Sequence, residues 1–152
     1  MRIEFIDRKS KYEEFEEDYR DAKAYHRRAK QFLEEGCRFS VVFNVASVAL
    51  ERYLVALCYL HDVEPLNHNY TCLMDSVEDI VEVLVELNKE IRSLDLIFGI
   101  CSIENYYHGL PEPSDADRVL RMCDTVSGLF DETKISDVRI LHMKNQEELD
   151  IN

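Results

Sequence analysis

The sequence predicts an all-α protein, an antiparallel helical bundle of about five helices with a four-helix up-and-down core plus a shorter helix. Two observations carry this. Apolar residues return at three- and four-residue steps along most of the chain, the period of a helix with one buried stripe. The 152 residues include only four glycines and three prolines, too few turn-makers for a many-stranded sheet protein. The length suits one domain with a real core.

The first stripe is Tyr12, Phe15, Tyr19, Ala22, His26, Ala29 and Leu33, which places a helix over about residues 11–35. Gly36 suits the position just after its end, where positive φ costs glycine least. The next stripe, Phe39, Phe43, Ala46, Leu50, Tyr53, Leu57 and Leu60, is apolar on most other sides too. Such a helix belongs in the centre of a bundle. Asp62–Asn69, with Pro65 and two asparagines, reads as a loop. Leu73, Val77, Ile80, Leu84 and Leu87 predict a third helix, and Ile91, Leu94, Phe98 and Cys101 a fourth ending near His108-Gly109. After the break at Gly109-Leu-Pro-Glu-Pro, Ser114 with Asp115 and Asp117 makes a helix start: the hydroxyl caps free N–H groups and the acids suit the positive dipole end. Val119, Met122, Val126 and Leu129 continue that fifth helix. From about Asp131 the periodicity fades. The expected organisation is one domain over residues 1–132 and a tail, 133–152, docked through Val138–Leu141 or partly disordered.

Charge and cysteine usage narrow the setting. The formal net charge is −13, a field that repels phosphate backbones and disfavours extended nucleic-acid binding. The charge is unevenly laid out: Thr71–Asn88 is purely acidic, whereas Arg20, Lys23, Arg27, Arg28, Lys30 and Arg38 outnumber the acids among them. That cluster suits phosphate, or ion pairs with acids of its own helix, such as Glu16 with Arg20. The five cysteines are widely spaced with no C-x-x-C pair, and most fall in apolar patterns as small hydrophobes. The start carries no signal-peptide pattern, and the apolar run Val45–Leu60 is broken by Ser47, Glu51 and Arg52. A cytoplasmic protein without a membrane span is the expectation.

Three words stand in a telling order: Ala29-Lys-Gln-Phe-Leu-Glu-Glu-Gly36, Phe39-Ser-Val-Val-Phe-Asn44 and Ala49-Leu-Glu-Arg-Tyr-Leu-Val-Ala-Leu57. His68 follows in the loop before the third helix, and Tyr106-Tyr-His-Gly-Leu-Pro-Glu-Pro-Ser-Asp-Ala-Asp117 leads into the last. Together, over roughly residues 15–130, they resemble the HEPN domain family (higher eukaryotes and prokaryotes nucleotide-binding). The resemblance implies a helical bundle, a homodimer, and a minimal nucleotidyltransferase as partner in a toxin–antitoxin-type system. Many members are metal-independent ribonuclease toxins, and others are binding or regulatory modules.

The ribonuclease branch uses an Arg-x4-6-His motif before the last helix. Its histidine moves a proton near neutral pH and its arginine holds the phosphate. Counting back from His108, the arginine positions are Ile103, Ser102 and Cys101. None is arginine, and Glu104 puts a negative charge where a phosphate clamp belongs. Asn105 and His108 are the only catalytic candidates left, so a non-catalytic nucleotide- or partner-binding module is the leading expectation. The alternatives are a ribonuclease using His108 and a structural adaptor without a small ligand.

Ser40, Asn44, Ser47 and Glu51 lie at steps of four, three and four, a polar stripe on an otherwise apolar helix. Buried polar groups need partners. One reading has both serines bonding backbone carbonyls while Asn44 and Glu51 tie helices together. The other has Asn44 and Glu51 facing Asn105, Tyr107 and His108 across a nucleotide- or partner-binding groove. Tyr106-Tyr107 could stack on a base or accept a nucleotidyl group, or simply pack. His26, on an apolar seam, reads as a hydrogen-bonded core histidine. His61 and His68 flank an acidic loop but lack zinc spacing, and Glu-x-x-His is absent. Neither a metal nor a cofactor is expected, and no glycine-rich phosphate loop or nucleophile signature is present.

Overall fold

A computed structural model describes residues 9–97 and 111–151. They form six helices: α1 (Lys11–Glu34), α2 (Phe39–Leu60), α3 (Tyr70–Val77), α4 (Val85–Ile97), α5 (Pro113–Ser127) and α6 (Glu132–Ile151). No strand occurs among the described residues. The protein is all-α.

α1 begins where Ser10 accepts a hydrogen bond from the Glu13 amide at 3.2 Å. It stops at Gly36, whose φ of +76° lets the Cys37 amide reach back to the Phe32 carbonyl at 2.9 Å. That is the αL exit glycine provides. The short turn reverses the chain, and α2 runs antiparallel along α1 in the largest helix–helix contact of the fold. Lys11 at the head of α1 accordingly pairs with Asp62, just past the end of α2, at 3.3 Å.

α2 is the central helix, with thirteen of its 22 residues buried. By length and composition it could cross a membrane, but 67% of its most apolar window is buried inside the bundle. That burial is what a core helix shows. α5 lies against it in the same direction: Cys123 Sγ donates to the Ala46 carbonyl at 3.3 Å, and Phe130 packs on Tyr53 at 6.0 Å between ring centroids. Both contacts join residues 77 apart, and only parallel helices keep such an offset constant.

Two elements differ from the sequence expectation. The stripe Leu73–Leu87 is not one helix. α3 ends at Val77, the chain turns through residues 78–84, and α4 runs back antiparallel, with Asp95 at the head of α3 and Arg92 beside Asp75 and Glu78. Ile80, Val81 and Val83 still pack on the core from the turn, which is why the apolar pattern ran unbroken. The second difference is at the C-terminus, where α6 continues as a helix to Ile151. Ile135 is buried, Val138 is half-buried, and Arg139 reaches Glu16 of α1 with Nε at 2.7 Å and a second nitrogen at 3.4 Å. Past Met143 every described side chain is exposed. So little of α6 is buried that no stripe marks it.

The start of α5 also shifts. Pro113 takes the first helical position and Glu112 the cap, with the Asp115 carboxylate accepting the Glu112 amide at 2.8 Å. Ser114, the expected cap, is already inside the helix. Residues 98–108, which the sequence assigned to the end of the fourth helix, lie outside the described residues.

Candidate functional site

The polar stripe of α2 divides by burial. Ser47 is buried and donates to the Phe43 carbonyl at 2.7 Å, the i−4 bond that satisfies a hydroxyl within its own helix. Its own carbonyl accepts the Tyr70 hydroxyl at 2.7 Å, so this level of α2 is tied to the head of α3. Asn44 is exposed, Ser40 and Glu51 are half-exposed, and Glu51 Oε1 lies 3.3 Å from His68 Nδ1. Val41 and Val48 are 40% and 37% exposed between them. The outer face of α2 therefore reads Val41, Asn44, Val48, Glu51 at helical steps, with His68 at one end.

The structure brings Glu51 to His68 and leaves Asn44 on the surface one and a half to two turns away. The other expected members, Asn105, Tyr107 and His108, lie outside the described residues, as do Glu104 and Tyr106.

A second cluster sits between α1, α2 and α5. His26 is 8% exposed, and its Nδ1 is 2.9 Å from the Tyr53 hydroxyl. Its Nε2 lies 2.9 Å from Asp124 Oδ1, approached off the ring N–H direction, and Lys30 Nζ reaches the same oxygen at 2.8 Å. Burial, helped by the Lys30 charge, lowers the His26 pKa despite Asp124. A neutral imidazole accepts from Tyr53 at Nδ1. Burial also raises the Tyr53 pKa, so the phenol stays protonated and donates. This is a core histidine hydrogen-bonded at Nδ1, with Nε2 beside Asp124 but outside hydrogen-bond geometry, and the cluster arms no nucleophile.

Two buried carboxylates were not singled out from the sequence. Asp18, 4% exposed, accepts from Arg52 at 3.0 Å and joins α1 to α2; desolvation, with the charges of Glu14 and Glu17, raises its pKa against the pull of Arg52. Asp95, 1% exposed, accepts the Tyr70 amide at 3.0 Å, the Thr71 amide at 2.8 Å and the Thr71 hydroxyl at 2.7 Å. It satisfies free donors at the head of α3. Both acids fall on apolar stripes, at 15–18–22 and 91–94–95, a visible signal: a charge on a seam implies a specific partner.

The basic cluster of α1 is only partly ion-paired. Glu16 pairs with Arg139 rather than Arg20, and Arg20 is 3.7 Å from Asp21. Lys23 sits over the Tyr19 ring at 4.2 Å. Among the described residues no carboxylate lies within ion-pair distance of Arg27, Arg28 or Arg38. Nor do the described residues hold any group of three or more His, Cys, Asp or Glu placed for a metal ion. His61 is half-buried with its pKa lowered by burial and by Lys134, while His68 turns toward Glu51.

Compared with protein-family models, curated proteins and solved structures, the chain matches none.

Proposed function

We propose that this protein is a HEPN-type helical binding module, lacking the ribonuclease clamp, that takes a nucleotide or a minimal nucleotidyltransferase partner on the outer face of α2. The observation that carries the reading is that face itself. The most deeply buried helix of the bundle keeps two valines partly in water, flanked by Asn44 and the Glu51–His68 pair. Apolar surface with a few placed polar groups is the composition of a recognition surface. The missing arginine before His108 supports binding over catalysis. The net charge of −13 fits a compact ligand better than a long RNA footprint.

Calorimetric titration of the full chain with ATP and GTP, beside the Asn44→Ala/Glu51→Ala double variant, tests the site. Binding is expected in the parent and lost in a variant whose circular dichroism stays helical. Retained binding in the folded variant overturns the placement. Incubation with total RNA against a His108→Ala control tests the enzyme alternative. The expected result is no His108-dependent cleavage, and such cleavage would replace the binding reading with a ribonuclease. Light scattering is expected to give twice 17.9 kDa, since we propose a homodimer.

A further inference from the structure

We infer that the cleft between the start of α1, the end of α2 and residues 134–145 of α6 is a binding site for a small aromatic anion, one planar ring carrying a carboxylate or a phosphate. The cleft measures about 390 Å³, within the roughly 300–1,000 Å³ typical of small-molecule sites. Its lining is partly aromatic. Tyr12 and His142 stack at 4.1 Å with 22° between their planes, Tyr59 lines it from α2, and buried Phe15 lies behind. Its charge runs against that of the chain. Lys11 and Lys134 line it against a single carboxylate, Asp62, which already pairs with Lys11 at 3.3 Å. Among the described residues no carboxylate lies within ion-pair distance of Lys134. A cation with no carboxylate partner among the described residues, beside stacked rings, offers the two contacts an aromatic anion needs.

The α6 wall of the cleft is braced. The Arg139–Glu16 pair and buried Ile135 brace α6 against the bundle on either side of Val138. A wall fixed in this way loses less ordering entropy on binding. It is separate from the outer face of α2, touching that helix only at its last turn, through Tyr59 and Leu60.

Titration of the ¹⁵N-labelled full chain with phenyl phosphate and with phenylacetate, followed by NMR, tests this. Inorganic phosphate and benzyl alcohol serve as half-ligands. Saturable shifts are expected at Lys11, Lys134 and His142 with at least one ring-bearing anion, and the stronger of the two identifies the anionic group. Each half-ligand should bind at least about tenfold more weakly, and Lys134→Ala should weaken binding by about tenfold or more. Leu141→Trp, a change at a 59% exposed position lining the cleft, should block binding while thermal stability holds. Absent shifts, or saturable shifts insensitive to both variants, overturn the inference. Shifts confined to Asn44 and Glu51 overturn it as well, and would leave the α2 binding face standing.

Discussion

His26 and Tyr53, 27 residues apart in the chain, meet at 2.9 Å in the core, where the phenol donates to a neutral imidazole. Each group is buried on the strength of the other. Tyr19, Tyr53 and Phe130 pack around this contact with centroids 4.5 to 6.5 Å apart, so it joins α1, α2 and the turn that follows α5.

Tyr53→Phe should therefore destabilise the protein although it removes one oxygen atom. The change leaves His26 Nδ1 without its donor, which costs about 1–3 kcal/mol for a buried polar group. Chemical denaturation should show a lower midpoint with an unchanged slope. His26→Leu added to Tyr53→Phe should restore part of the loss, because both partners are then apolar. If the double variant is no more stable than Tyr53→Phe alone, the bond is not the source.

Acid should weaken the fold before ordinary carboxylates titrate. Burial lowers the pKa of His26 and of His61, so the unfolded chain binds protons more readily than the folded one as pH drops below about 6.5. Their contribution to stability is fully present above that pH and is lost on acidification toward the lowered folded values. Melting temperature should fall between pH 7 and pH 5, less so in His26→Leu. A flat profile would contradict the linkage.

Asp95→Ala should cost more than a surface acid does, about 2–4 kcal/mol, because three donors at the head of α3 lose their acceptor together. Asp95→Asn should cost less, since its carbonyl can still accept some of them. Amide hydrogen exchange at Tyr70–Met74 should speed up in Asp95→Ala. Equal losses in both variants would mean that packing, not capping, is what Asp95 supplies.

Thiol labelling should separate the described cysteines by environment. Burial pushes Cys58 up to about 11 and Cys123 up to about 12, and Cys123 also donates to the Ala46 carbonyl. Neither should react at neutral pH without unfolding. Exposed Cys37, in the turn between α1 and α2, should react fast. Prompt mass-resolved labelling of Cys58 or Cys123 in the native protein would show that the core opens readily.

The two long helices were legible in the sequence because each buries a continuous stripe between clear punctuation. Gly36 closes α1, whose Ser10 cap only the structure shows, and the apolar density of α2 marks it as central. The α3–α4 hairpin was hidden for a physical reason: its turn carries no glycine or proline, and its valines and isoleucine are half-buried, so hydrophobicity alone reads straight through. α6 was hidden for the opposite reason, having too little burial to leave a stripe. Of the α2 stripe, the i−4 bond of Ser47 follows from spacing within one helix. The Glu51–His68 contact does not, because it depends on the loop doubling back along α2, a path no local pattern encodes.

α6 carries a further consequence. A 20-residue helix is about 30 Å long, yet its buried and half-buried side chains stop at His142, and past Met143 every described side chain is exposed. Arg139 and His142 must let go of Glu16 and Tyr12 before the helix can lift. A pull on the far end of α6 would therefore load these two contacts, and with them the wall of the cleft.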